Sequence, residues 1–317
     1  MQAGLERPHG KAGFVGWLRM MRREHLLYVF LLPALAATLV FSYLPMFTNV
    51  IAFMDYNPAK GWLGLESPFV GLKHFKAILS DASFYTLVSR TLYYSIVVLV
   101  IKFPVTIVFA LLLNEIRYSG YKRIVQTVSY LPHFISWVIL ASLVYVFLTT
   151  DSIGIFNNIR VALGLEKVIY MKYPANFPWV LSLSSLYKEL GWGSIIYLAA
   201  ISAVDIQLFE AARIDGASRF QQVWNITLPS ILPTVVIMLV MSMGSLFSSN
   251  FDQVFNLQNP VIQINTNTIA TYTYTTGIVR QRYSIAAAVG LFQGVVNCVL
   301  MIGTDRISKK VTSYGLF

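Results

Sequence analysis

Six long apolar runs constrain this chain more than any other feature. They cover residues 26–46, 87–113, 125–148, 180–204, 230–247 and 285–302, and the first contains no charged residue at all. A helix needs about 20 predominantly apolar residues to cross a hydrocarbon layer of ~30 Å. Lipid cannot hydrogen-bond exposed peptide groups, and these runs are far too long for barrel strands, so helices are the expected solution. The fold expected is all-α: a polytopic membrane protein with about six transmembrane helices.

Composition supports a lipid-facing surface. Hydrophobic residues make up 56% of the 317, and charged residues only 12%, where a soluble domain keeps roughly a quarter. The net charge of +10 comes from no basic run long enough, or suitably interleaved with aromatics, to make a nucleic-acid groove. Cys298 is the only cysteine, which excludes a disulfide framework. The N-terminal stretch is basic, and the apolar run after it is too long for a signal-peptide core. It is expected to remain as a tail and first span.

Orientation follows from the basic residues. With the N-terminus inside, Arg7, Lys11, Arg19, Arg22, Arg23, Arg117, Lys122, Arg123, Arg213, Arg219, Arg306, Lys309 and Lys310 are cytoplasmic, which is 13 of the 24. Nine lie outside, and Lys102 and Lys188 lie within spans. Five basic residues precede the first span and the next after it is Lys60. Both termini are therefore expected in the cytoplasm. Residues 57–85 and 149–178 become external connections, and 114–124 a short internal turn.

The internal loop 205–229 reads DIQLFEAARIDGASRFQQVWNITLP. Residues 207–214 are good helix formers, with Leu208, Phe209 and Ala212 on one side. Asp215-Gly216 is a turn signal, since Gly accepts a positive φ at no steric cost. Phe220, Val223 and Trp224 follow at i, i+3 and i+4 of a second short helix, and Pro229 opens the next span. The expected result is a helical hairpin on the cytoplasmic face that a partner protein could grip.

Glu210, Ala211, Ala212, Gly216, Ile226, Leu228 and Pro229 stand at the spacing of the EAA–Gly–I-x-L-P signature, and here the chain resembles the permeases of ATP-driven (ABC-type) importers. The resemblance implies a type I importer permease: a core domain over 87–303 with a coupling loop at 205–229, preceded by a cytoplasmic tail (1–25) and a first helix with its external connection (26–86), and followed by a cytoplasmic tail (304–317). It also implies that Asp215 and its neighbours dock on an ATPase subunit. VGLKHFKAILSDASFYTLVSRTLYYS (70–95) and KELGWGSIIYLAAIS (188–202) resemble sugar permeases of the maltose-transporter type. That family commonly has Asn where this chain has His74 and Arg90. NFDQVFNLQNP (250–260) and TYTYTTGI (271–278) resemble the oligosaccharide and polysaccharide-fragment branch, to which alginate and pectin-derived importers belong. The partners implied are a second homologous permease, two copies of an ATPase, an extracytoplasmic solute-binding protein, a carbohydrate and membrane lipid, in a bacterial inner membrane.

Ionisable side chains within a span cost at least ~2.5–3.5 kcal/mol, so they face a cavity or a partner. Lys102 reads as a structural pairing. Lys188 and Glu189 point about 100° apart on a helix, so at least one seeks a partner elsewhere, in a substrate path or in an ion pair between helices. Sugars are held by aromatic faces and a few hydrogen-bonding groups. Tyr187, Trp192 and Tyr197 are candidates in the fourth span, with Asn250 and Asp252 after the fifth. Gln293 and Asn297 lie one turn apart in the sixth. Each alone reads as packing or interfacial anchoring, and together they make a polar stripe.

No G-x-x-x-x-G-K-[ST] loop is present in the sequence, so no nucleotide site is recognisable, and ATP with magnesium is expected in the partner ATPase rather than here. His9, His25, His74 and His133 are scattered without metal-ligand spacing. No catalytic residue, metal or cofactor is expected in this chain. Glu210 and Asp215, beside Arg213 and Arg219, read as docking charges. An ion-gradient-driven secondary transporter is the alternative, and it would need inverted repeats that the sequence does not display. An intramembrane enzyme would rest on Lys188 and Glu189 alone.

Overall fold

The computed structural model describes residues 25–60, 64, 66–248 and 250–317. The basic N-terminal tail, with Arg7, Lys11, Arg19, Arg22 and Arg23, lies outside the described residues.

Helices build most of the described chain, joined by turns and loops, with one isolated antiparallel bridge between Met54 and Phe69. In order they are α1 (His25–Phe53), α2 (Lys73–Leu79), α3 (Ala82–Glu115), α4 (Ser119–Tyr130), α5 (Trp137–Leu148), α6 (Ile155–Ala162), α7 (Phe177–Ser202), α8 (Ile206–Ile214), α9 (Arg219–Gly244), α10 (Phe251–Leu257), α11 (Gln263–Thr266), α12 (Ile269–Tyr274) and α13 (Tyr283–Thr312). Four of these, α1, α3, α9 and α13, are long and apolar enough to cross a membrane alone. Counting each of two bent pairs as one span gives six.

The bent pairs correct the sequence reading. The run at 125–148 is not one straight helix. A short 3-10 turn at Leu131–Phe134, containing Pro132, interrupts it, and the halves meet at 104°. Proline lacks the N–H that would continue the ladder and displaces the preceding carbonyls. The second helix of the hairpin is likewise not separate. It runs from Arg219 through a π-turn at Val223–Thr227 directly into the fifth span.

Proline also explains two of the three π-turns. Leu39–Tyr43 precedes Pro45, and Val223–Thr227 precedes Pro229. In each case the carbonyl four residues before the proline lies inside the widened turn. Ladder bonds shift there to Leu44 N–H→Leu39 O and Leu228 N–H→Val223 O, which relieves the ring-to-carbonyl clash.

Packing centres on α3 against α7. One buried cluster (Ala110, Leu113, Tyr197, Leu198, Ile201, Ile231) sits near the 205–229 loop. Two others, around Phe177, Leu181 and Leu257 and around Phe84, Phe247 and Val289, fill the rest of the bundle. Small residues permit the closest crossing: a Cβ at Gly191 of α7 would lie 2.1 Å from the Ser129 carbonyl oxygen of α4. By contrast, α1 buries no residue before its final turn and is apolar all round, as expected of a helix facing lipid or another subunit.

The two departures from the maltose-type pattern act as pins. His74 Nε2 lies 3.1 Å from the Met54 carbonyl and 3.0 Å from Asp55. Lys73 donates to Asp55 at 2.7 Å, and this bond is the main cause holding the Asp55 carboxyl below its ordinary 3.8. Arg90 Nη1 donates to the carbonyls of Ile264 at 3.0 Å and Asn267 at 3.3 Å.

Candidate functional site

The 205–229 segment is built as a bracket with capped helix ends. Its helix α8 leaves the end of α7 at a 70° bend. Asp205 caps it, Oδ1 accepting the Gln207 N–H at 2.9 Å. At the other end Gly216 takes φ +77°, the Gly216 N–H donates to Arg213 O at 3.1 Å and the Ala217 N–H to Ala212 O at 2.8 Å. This is a Schellman closure, with glycine at the left-handed position. Ser218 then starts α9 with a reciprocal capping box to Gln221, which satisfies two otherwise orphaned donors. Arg219 reaches back to Glu115 at the end of α3, 2.6 Å away.

What the bracket presents is uncommitted. Glu210, Ala211, Asp215 and Gly216 are exposed, and Ala212 is half-buried. Among the described residues no hydrogen bond or ion pair reaches the side chains of Glu210, Arg213 or Asp215. Ile206, Leu208 and Ile214 are exposed, Ile214 to 88%, and the exposed Phe220 and Trp224 rings stack at 6.2 Å. A recess of about 340 Å³ between α8 and the helix ends is lined by Phe209, Arg213, Arg219 and Glu115, among others. Ile226 and Leu228 are half-buried at the π-turn, with Leu228 packed on the nearby core and Pro229 exposed. Exposed apolar and charged groups on a well-capped element are the features of a docking surface.

The nine candidate path residues divide among four places. Lys188, Glu189 and Trp192 of α7 gather at the break between α4 and α5. The Lys188 ammonium donates to the carbonyls of His133 and Ile135, the latter at 2.5 Å, and lies 5.6 Å from the Trp137 ring centre. Glu189 sits 3.0 Å from His133 Nδ1, and the His133 ring stacks on Trp192 at 4.4 Å. Non-helical backbone at membrane depth needs its freed carbonyls satisfied by protein, and Lys188 does this. Lys188 and Glu189 thus do not pair with each other: both meet His133, Lys188 at its carbonyl and Glu189 at its ring. Lys102, expected as a structural pairing, makes no ion pair or side-chain hydrogen bond among the described residues.

Tyr187 is on another face, lining an apolar cleft of about 380 Å³ with Leu140, Phe147 and Phe156. Tyr197 is buried, 3% exposed, edge-on to Phe103 in the core. Gln293 and Asn297 do share a face, and both hold the chain where α9 ends. Asn297 Oδ1 accepts the Phe247 N–H at 3.0 Å, its Nδ2 donates to Ser248 Oγ at 3.0 Å, and Gln293 Nε2 donates to Phe247 O at 3.1 Å. Asn250 follows with φ +74°, opening α10, and Asp252 is exposed in its first turn.

Sequence reasoning passed over three residues here. His133 has no metal-ligand spacing in the sequence, and its partner Glu189 is 56 positions away. Gln253, fully buried, donates to Leu181 O at 2.7 Å and Ser184 Oγ at 2.9 Å, tying α10 to α7. Gly191 marks the α4–α7 crossing, for which the small residues of 191–194 were a signal.

Residues 102–313 match the family described as "Binding-protein-dependent transport system inner membrane component". The chain is 39% identical to Protein LplB of Bacillus subtilis over 303 residues, covering 96% of this chain and 94% of that one. It is 41% identical over 300 residues to the polygalacturonan/rhamnogalacturonan transport system permease protein YteP of the same organism, covering 95% and 92%. Among solved structures, a bacterial alginate ABC transporter in complex with an alginate pentasaccharide-bound periplasmic protein contains a chain that superposes with a TM-score of 0.83. That chain is 36% identical, with 94% of this chain and 99% of that one covered.

Proposed function

Because this chain belongs to the family of binding-protein-dependent transport system inner membrane components, we propose that it is the membrane-spanning permease subunit of an ATP-driven importer whose cargo is a carbohydrate oligomer. The relatives that carry the cargo class are a permease named for polygalacturonan and rhamnogalacturonan and a transporter crystallised with alginate. Neither is named for an ion-coupled mechanism, and nothing reported above favours a secondary transporter.

The observation that carries the mechanism is the bracket at 205–229. A helix capped at both ends, set at 70° to α7, with Glu210 and Asp215 uncommitted, is suited to take a push from a docked protein without deforming. The docked protein in this reading is one of two ATPase subunits, which bring the nucleotide and magnesium. A second, related permease completes the membrane unit, and an extracytoplasmic solute-binding protein delivers the sugar. The bracket then faces the cytoplasm of a bacterial inner membrane, with both termini on that side. Closure of the ATPases would move α8, and α7 with it, switching the cavity from outside to inside. Of the path residues, Tyr187, Asn250 and Asp252 make no side-chain hydrogen bond, ion pair or ring contact with other residues described; Tyr187 lines an apolar cleft, and we assign Asn250 and Asp252 to the sugar.

The test is reconstitution of this chain with its co-purifying partners in liposomes. ATP-dependent accumulation of an oligosaccharide, stimulated by the binding protein and abolished by a non-hydrolysable nucleotide, is expected. Uptake by this chain alone, driven by an ion gradient without ATP, would overturn the reading.

A further inference from the structure

At the end of the bundle opposite the bracket, α11, α12 and the π-turn Thr275–Val279 enclose a polar pocket of about 300 Å³. Gln263, Asn267, Tyr272, Thr275, Thr276 and Arg280 line it. Its walls are fixed from behind. Arg90 holds the carbonyls of Ile264 and Asn267, and a Cβ at Gly277, also buried, would come within 2.7 Å of Ala286, so the turn lies tight against α13. The Arg280 and Arg282 N–H groups close the turn onto Thr275 O and Thr276 O, both at 2.9 Å.

The Thr275 hydroxyl donates to Thr271 O at 2.9 Å, but four other polar side chains lining the pocket lack partners among the described residues. Thr276 is 3% exposed and its Oγ1 has no hydrogen-bond partner. A buried hydroxyl left so is costly and calls for an explanation. Among the described residues the side chains of Gln263, Asn267 and Arg280 make no hydrogen bond or ion pair either. Two amides, a hydroxyl and a tyrosine ring suit the hydroxyls and apolar face of a sugar. A guanidinium adds bidentate recognition of a carboxylate. The volume is at the low end of ligand sites, about 300–1,000 Å³, which fits a terminal unit rather than a whole oligomer.

We propose that this pocket, separate from the intramembrane polar residues, receives one carboxylate-bearing sugar unit of the transported oligomer, with Arg280 on the carboxylate and Thr276 on a ring hydroxyl. The proposal rests on the importer reading and specifies the charge of its cargo.

The experiment uses the intact complex purified in detergent, titrated calorimetrically with trigalacturonate and with its carboxyl-reduced neutral counterpart. Wild type is expected to prefer the charged trisaccharide. Arg280→Gln should weaken that binding about tenfold and leave the neutral one unchanged, and Arg280→Lys should fall between. Thr276→Val should weaken both by a similar factor. Retained binding-protein-stimulated ATPase activity in each variant shows that folding and assembly survive. Equal wild-type affinity for the two trisaccharides, no binding of the charged one, or an Arg280→Gln effect on both alike would overturn the subsite. So would an Arg280→Gln variant whose defect lies in docking of the sugar-free binding protein, since Arg280 would then be meeting an acidic side chain. In each of these cases ATP-driven uptake of another sugar would leave the importer reading standing.

Discussion

Substituting Gly216 separates backbone conformation from contact at the 205–229 bracket, whose coupling role is proposed above. Its φ is +77°, and a Cβ built there meets nothing within 4 Å, so a side chain has room and the penalty is conformational alone. A non-glycine residue in the left-handed region costs roughly 1–2 kcal/mol, and less for Asn, whose short polar side chain tolerates it. That is a factor of about 5–30 in the population of the closed turn. If the Schellman closure keeps α8 rigid, ATP-driven uptake should fall in the order Gly, Asn, Ala, Val, with Ala down about tenfold and Val further. Assembly with the ATPase should fall less steeply, because Glu210, Asp215 and Ile214 are retained. The assay is uptake into proteoliposomes, normalised to the ATPase co-purified with each variant. Wild-type transport by Gly216→Val would refute the argument, and so would Asn and Ala behaving alike, since only the left-handed penalty distinguishes them.

Four further outcomes follow from the same geometry. Lys188→Met removes the donor from two carbonyls at the broken span, at about 1–3 kcal/mol for each group left unsatisfied, and should lower the melting temperature of the purified complex; an unchanged melt contradicts the pinning role. Gly191→Ala gains up to about 1 kcal/mol of helix propensity but forces a methyl to 2.1 Å from Ser129 O, an overpacking cost of about 1–3 kcal/mol, so net loss of thermal stability is expected. Asn297→Leu strands the Phe247 N–H, whereas Gln293→Leu strands only a carbonyl, which is more easily left single; thermal melts should rank Asn297→Leu as the worse. The exposed Arg219–Glu115 pair, with side chains 54% and 36% exposed, contributes about 0.2–1 kcal/mol, so Glu115→Gln should change uptake less than about fivefold, and abolition would show a role beyond the pair.

Spans and bracket were legible because each has a local cause. Apolar length announces a crossing helix, and Asp215-Gly216 is turn chemistry carried within two residues; the caps at Asp205 and Ser218–Gln221 are equally local but enter only with the structure. The predicted ends of the fourth span, 180–204, fall within a few residues of Phe177–Ser202. What local pattern concealed was a break inside an apolar run. No Asp, Glu, Lys or Arg interrupts 125–148 on either side of Pro132, and only the tertiary structure shows whether a proline bends, breaks or merely widens a helix. Pro132 breaks one, while Pro45 and Pro229 are absorbed by π-turns. The polar residues were harder still. Lys188 and Glu189 were conspicuous as charges in a span, yet their partners lie some 55 residues away on the broken element. Gln293 and Asn297 do share a face, but that face grips the Phe247 backbone, which no periodicity encodes.

These contacts converge on α7. Its Lys188 and Glu189 hold the break between α4 and α5, its Leu181 carbonyl and Ser184 hydroxyl receive Gln253 of α10, and its end turns through 70° into the bracket. If α8 is pushed by a docked protein as proposed, the push reaches two interrupted regions of the bundle through one helix. Interrupted helices are where such a bundle can change shape at least cost, because their backbone bonds are already replaced by side-chain ones that can exchange partners. On this reading the two ends of α7 contribute differently. Gly216 variants should lose transport while the fold persists, because only the lever is softened. Lys188→Met should lose stability first, because the element being moved is no longer held together.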